Sequence, residues 1–333
     1  MEIGLSLRGI HPSLLDSSRL WQKERGRADD LGASALALVG SSRILLDMDL
    51  TTLRHETGLQ PVQLAIEGSS FMPVLAGLAN DQAFTGSVIV ELDEKFMAVP
   101  LQYDAAFAYQ SDYERSRRQP LTDYQTVEDY LSEKLHGQLR SYADGTRPIT
   151  ALLKRILMKP DPVQYLETLP DREVLADYLK APMPYLYYFR SLRTLDGSSD
   201  LPHGLSYRQI DAKIKAGIET LKPVDDVRFL DTLPVVNAMV QSIQARGGQV
   251  FFVKFPESGY VEEIDDRLYP RRQFWDLFAS GAGGQNLNFE DDPVLKRFIC
   301  PDGSHLDYRQ RASFTDALVN TLHLRQKADI HGR

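Results

Sequence analysis

Three times in its first hundred residues the chain runs from a short apolar stretch into a polar break and then into a helix-forming segment. The stretches are "ALALVGSSR" at 35–43, "PVQLAIEGSS" at 61–70 and "FTGSVIVELD" at 84–93. Their apolar residues are nearly continuous, the pattern of a strand covered on both faces. We read strands over 34–40, 61–68 and 84–93. Between the first two, "DLTTLRHETG" supplies Asp49 as a helix cap and Gly58 as a stop. Between the second and third, "SFMPVLAGLAND" has helical character, and upstream "DSSRLWQKERGRADDL" at 16–31 reads as another helix. Strand and helix in repeated alternation call for right-handed crossovers and a parallel sheet.

The rhythm stops near residue 97. Helical patterns such as "DYQTVEDYLSEKLHGQLRSYADG" at 123–145 dominate from there to about 225, and 12 of the 15 tyrosines fall between Tyr103 and Tyr207. Tyrosine rings suit the faces of sugars and equally suit helix packing. The alternation then returns with a helix at 231–248, a strand "QVFFVKFP" at 249–256, a helix around 266–280, a short apolar piece "RFIC" at 297–300 as the last strand, and a closing helix over 308–324. The expected fold is α/β, a three-layer α/β/α sandwich with a parallel sheet of about five strands. It comprises 1–96 and 231–333, interrupted at 97–230 by a helical, tyrosine-rich insertion or cap.

Composition removes several function classes. With 46 acidic against 38 basic side chains the net charge is -8, a field that repels phosphate backbones, so nucleic acid is not an expected partner. Cys300 is the single cysteine, which excludes an internal disulfide and a zinc site built on several thiolates. No histidine stands at metal-ligand spacing from "DMD" at 47–49 or "EDD" at 290–292, and no glycine-rich phosphate loop follows a strand, so neither metal nor cofactor is expected. No run approaches the roughly 18 to 20 apolar residues that span a bilayer. A soluble protein is expected, cytoplasmic as the chain stands, or periplasmic if an N-terminal anchor precedes it.

In an open parallel sheet, ligands sit outside the carboxyl ends of the strands. "GSS" occurs at two such ends, 40–42 and 68–70. Glycine there allows a sharp turn and close approach of the backbone to a ligand, and a serine there needs a base to become a nucleophile. His305, in "CPDGSHLDYRQRASFTDALVNTL", lies between the last expected strand and the last helix, with Asp302 three residues earlier. That offset lets the carboxylate reach the ring nitrogen facing away from a serine and fix the tautomer. Arg43 follows the second serine and is placed to hold a substrate anion or to pair with a carboxylate such as Asp93. Lys254, on the strand of 249–256, either snorkels at the strand end or lines the site.

"ALVGSSR" at 37–43, "QLAIEGSS" at 63–70 and "DGSHL" at 302–306, in that order, resemble the SGNH (GDSL-like) hydrolase superfamily, in particular a bacterial branch with a Gly-Ser-Ser-Arg opening motif. The resemblance implies a flavodoxin-like sandwich with Ser42 as nucleophile, His305 as general base and Asp302 as its orienting carboxylate. It also implies an oxyanion hole including the amides of Ser42 and Gly68, and places Ser41 at the superfamily's aspartate position, where a bond to the backbone is expected. The implied function is ester hydrolysis or acyl (acetyl) transfer, with an ester or acylated bacterial glycan as substrate. The alternative is a catalytically silent binding or assembly protein with a protein partner. One departure stands out. The superfamily usually carries an asparagine after the third strand as an oxyanion donor, but here Glu91 and Asp93 follow that strand; Asn286 and Asn288 read as loop caps or turn residues, with substitution for the missing donor from another loop as the alternative.

Overall fold

The computed structural model describes residues 2–99, 104–118, 131, 134–145 and 163–325, so 123–130 and 132–133 of the helix expected at 123–145 lie outside the described residues; of the remainder, 134–138 is helical and Arg140–Gly145 is a 3-10 turn. Strand β1 (Ala35–Val39) is buried on both faces along its whole length and occupies the interior of the sheet. It pairs in parallel with β2 (Gln60–Gln63) on one side and β3 (Ser87–Glu91) on the other. An antiparallel hairpin, β4 (Leu166–Thr168) with β5 (Val174–Ala176), stands apart from the sheet. Strands β6 (Val250–Lys254) and β7 (Gln285–Asn288) complete the sheet in the order β2-β1-β3-β6-β7, all parallel. This is the flavodoxin-like order, which reverses direction between β1 and β3 and opens a crevice there.

Among the described residues the helices of six or more residues are α1 (Ser18–Asp30), α2 (Ser42–Asp47), α3 (Leu50–Thr57), α4 (Met72–Asn80), α5 (Ala105–Arg118), α6 (Tyr185–Asp196), α7 (Tyr207–Thr220), α8 (Val227–Gln244), α9 (Tyr260–Leu268), α10 (Trp275–Gly281) and α11 (Arg311–Thr321). Alternation along the strands sorts them into layers. Ala35, Ala37 and Val39 of β1, with Val88, Val90, Val250 and Phe252, face α1, α4, α5, α8 and α10. Leu36 and Leu38, with Ile89, Phe251 and Val253, face α2, α3, α11 and the β5 end of the hairpin. The result is the three-layer sandwich that the alternating pattern requires. A separate cluster of Leu192, Ile210, Ile214, Ile218 and Ile264 joins α6, α7 and α9.

Several expectations need correction. The last strand is Gln285–Asn288, not "RFIC": Leu295–Arg297 is a 3-10 turn and Ile299 is 62 % exposed. An edge strand bonds on one side only and needs less apolar surface, so its polar sequence concealed it. The second strand is shorter than 61–68, although Leu64 and Ile66 still donate to the carbonyls of Leu38 and Gly40. The helix expected around 266–280 is two helices broken near Pro270, and that at 231–248 begins earlier, at Val227. Within 97–230 the chain contains a β-hairpin as well as helices, and α5 packs on α1 and α4 at the flank of the sheet.

The hairpin is fastened to the sheet by two arginines with no solvent exposure. Arg172 grips both carboxylate oxygens of Asp16 at 2.7 Å and donates to the carbonyls of Gln63 (2.8 Å) and Ala65 (3.0 Å), where β2 ends. Arg311 reaches the Met48 and Val174 carbonyls and the Glu173 carboxylate. Replacing Arg172 by Leu strands two buried carbonyls and one carboxylate. Urea denaturation of Arg172→Leu is expected to show a loss of about 2–4 kcal/mol. A midpoint equal to the wild type would contradict this role.

Candidate active site

The turn after β1 admits only glycine at its first position. A Cβ on Gly40 would lie 2.5 Å from the Glu91 Cβ and 2.8 Å from its Oε2. The Glu91 carboxylate, 2 % exposed at the end of β3, folds over this turn and collects its donors. It accepts from the Ser41 amide (2.8 Å), the Ser41 hydroxyl (2.6 Å) and the Ile44 amide (3.1 Å). Ser41 was expected to bond the backbone, and its hydroxyl donates instead to this carboxylate. The exchange fixes the start of α2, whose first residue is the half-buried Ser42.

The loop before α11 comes to the same place. His305 has no solvent exposure, and its Nε2 lies 2.7 Å from the Ser42 Oγ. Its Nδ1 lies 2.9 Å from Asp302 Oδ2. Asp302 is also fully buried, and its Oδ1 accepts from the amides of Ser304 (3.0 Å) and His305 (2.9 Å). Its Oδ2 accepts further from the Tyr178 hydroxyl at 2.7 Å and from Arg190 Nε. Asp47, at the end of α2, accepts from the Leu306 amide at 2.8 Å and so ties the histidine loop to the serine helix. Ser42, His305 and Asp302 thus form one continuous hydrogen-bonded line.

The other singled-out residues divide. Arg43 lies between carboxylates: it reaches Asp93 (3.3 Å), Glu91 (3.7 Å), Glu257 and the Ser304 hydroxyl (3.2 Å), so the pairing alternative is the one observed. Asp93 is engaged by Arg43 and by Lys95 at 2.9 Å. Lys254 is tied between Glu94 and Asp265, each at 3.2 Å, which commits its ammonium to a buried ion cluster. Gly68 is exposed and has φ +65°, a turn geometry that favours glycine, following the tether between Ile66 and Gly40. Asn288 caps the turn at Glu290, and Asn286 donates to carbonyls of Ala279 and Gly284, so both amides serve local structure. Tyr187 and Tyr188 are engaged with other rings: Tyr188 stacks on Tyr207 at 5.3 Å, and Tyr187 packs on Tyr260 at 5.9 Å and accepts from its amide.

Burial and charge set the protonation states. Burial lowers the His305 pKa below its ordinary 6.5; Asp302 opposes this, and Arg190 and Arg43 add to it. The ring is therefore neutral at pH 7 and able to accept a proton. Burial works against the Asp302 carboxylate, yet His305, Arg190 and Tyr178 hold it well below the usual range. Burial alone would pull Arg43 down, but Glu257, Asp93 and Glu91 outweigh it and push it well above its ordinary value. The same burial pushes Glu257 upward with Arg43 opposing; their direct contact calls for the carboxylate form, which we assign. Burial raises Glu94 to about 7.

Nothing local in the sequence marks Tyr178 or Arg190. Glu257 lies just past β6, a strand-end position like that of Asp93. Asp47 stands out in the sequence only as part of "DMD" at 47–49, and its bond to the histidine loop follows from the fold. Among the described residues no group of His, Cys, Asp and Glu is arranged to hold a metal ion, and no helix is long and apolar enough to cross a membrane. No protein-family model matches the sequence, and no curated protein matches it either.

The Glu91 arrangement gives a test by substitution. Leucine at 91 would leave the Ser41 and Ile44 amides unpaired, and urea denaturation should show a loss of about 2–4 kcal/mol. Glu91→Gln should recover most of it, because an amide oxygen still accepts from the two backbone donors while the Ser41 hydroxyl turns to accept from the amide nitrogen. Equal destabilisation by both variants would mean that the charge, not the hydrogen-bond pattern, holds the turn.

Proposed function

We propose that the protein is a serine-dependent acyl hydrolase or acyltransferase of the SGNH type. The observation that carries this reading is the unbroken line from the Ser42 hydroxyl through the His305 ring to the Asp302 carboxylate, at 2.7 and 2.9 Å. Both distances fall in the range for proton transfer between a nucleophile and its base. Ser42 Oγ attacks the acyl carbonyl carbon while His305 Nε2 takes its proton, and Asp302 stabilises the imidazolium that forms. Collapse of the tetrahedral intermediate breaks the bond to the leaving alkoxide, which takes the proton from Nε2 and leaves the acyl group on Ser42. Water, for hydrolysis, or an acceptor hydroxyl, for transfer, then attacks in the reverse sense.

The oxyanion is assigned to the amides of Ser42 and Gly68. Where a third donor is expected, β3 ends instead in Glu91 and Asp93, engaged with the turn and Arg43. A missing donor costs about 2.7–4 kcal/mol of transition-state stabilisation. This favours a large substrate, such as an acylated glycan, whose remote contacts can be directed into the transition state, over a small activated ester.

A fluorophosphonate should form a single adduct on Ser42, absent in Ser42→Ala and strongly slowed in His305→Ala. Because only the neutral ring accepts a proton, the labelling rate should fall as the pH drops through the His305 pKa, at a value below 6.5. p-Nitrophenyl acetate should turn over slowly, and only with Ser42 and His305 present. Folded wild type that takes up no adduct and matches both variants on the ester would favour the binding or assembly protein instead.

A further inference from the structure

Asp302 makes more bonds than orienting a histidine requires. Oδ1 is occupied by two amides of its own loop, while Oδ2 accepts from three groups at once: the His305 ring, the Tyr178 hydroxyl and Arg190 Nε. The two outside donors come from segments that are not part of the parallel sheet. Tyr178 follows β5 and is 6 % exposed; Arg190 projects from α6 with its side chain 21 % exposed. α6 is held in turn by packing on α7 and α9.

We propose that Tyr178 and Arg190 are positioning residues that act through Asp302 to set the orientation and basicity of His305. The inference rests on the reading of His305 as the base for Ser42. Each added donor withdraws charge from the oxygen that faces the ring and weakens its hold on the imidazolium. The Arg190 guanidinium also brings a full positive charge across the carboxylate from the ring. With five donors the carboxylate has no freedom to rotate, so the ring keeps its proton on Nδ1 and its lone pair on Nε2 toward Ser42. The charged groups acting on the ring are Asp302 on its own loop, Arg190 on α6 and Arg43 on α2; Tyr178, beyond β5, reaches it through Asp302, and Asp47 on α2 accepts from the amide of the next residue, Leu306. Of these cations, Arg190 is the one in direct contact with Asp302. Arg43 is neutralised by the carboxylates of Glu257, Asp93 and Glu91.

A purely structural role, tying α6 to the loop, would not move the ring's titration, so that titration is the test. The full chain is labelled at histidine, the His305 resonances are assigned by their loss in His305→Gln, and the ring is titrated by NMR in wild type, Arg190→Gln, Arg190→Lys and Tyr178→Phe. Arg190→Gln should raise the His305 pKa by about one unit. Arg190→Lys, which keeps the charge, should return it most of the way to wild type, and Tyr178→Phe should raise it by less than Arg190→Gln. Titration of Arg190→Gln at the wild-type pKa, or Arg190→Lys behaving like the glutamine variant, would overturn the proposal. If Arg190→Gln fails to fold, an unchanged pKa in Tyr178→Phe overturns it. The titration needs no turnover, so a wild type that resists fluorophosphonate would remove the acyl reading without touching this result.

Discussion

A carboxylate withdrawn from water is tolerated only when donors replace the solvent it has lost, and Asp302 collects five of them. The requirement organises much of the molecule. Two donors come from the loop itself and force its tight turn at 302–305. Two more bring Tyr178 and α6 from the segment between β3 and β6 down onto the sheet's carboxyl end. The fifth is the histidine, whose other nitrogen then points at Ser42. Removing a single donor would leave charge uncompensated in the interior, so the loop, the hairpin end and α6 are interdependent.

A second set of buried charges lies at the ends of β3 and β6. Arg43 is held by Glu257 and Asp93 and lies within reach of Glu91, and Lys254 bridges Glu94 and Asp265. Buried ion pairs of this kind contribute little net stability, because desolvation offsets attraction. Their effect here is geometric: the Arg43 pairs hold the first turn of α2 against the ends of β3 and β6 and surround the neighbour of Ser42 with acids. Five carboxylates face two deeply placed cations, with the half-exposed Lys95 as a third. The excess is relieved by Glu94, whose pKa near 7 lets it carry a proton around neutrality.

The sheet was legible because its first strands are buried on both faces, and nearly continuous apolar runs ending in glycine have few other readings. The edge strand β7 was not, since Gln285, Asn286 and Asn288 satisfy a one-sided ladder without apolar alternation. Ser42, Asp302 and His305 could be singled out because strand-end loops concentrate chemistry and a three-residue offset is local. Tyr178 and Arg190 were illegible for the converse reason. They lie 124 and 112 residues from their partner in the chain, and nothing in "DYLK" or "YFRS" marks them. In the sequence Glu91 is only a carboxylate where an asparagine is expected; that it is the acceptor shaping the serine turn follows from the fold. The tyrosine excess turned out to include ring-on-ring packing around α6, a use that composition alone could not separate from ligand binding.

The central claim is that Ser42 carries an acyl group during turnover, using His305 as its base. The most direct measurement is intact and peptide mass spectrometry of protein quenched in acid shortly after mixing with an acetyl ester. The account predicts an acetyl adduct confined to the peptide containing Ser42, accumulating in the wild type and absent from His305→Ala. An adduct elsewhere, an adduct that forms equally without His305, or none at any time in folded protein would contradict it.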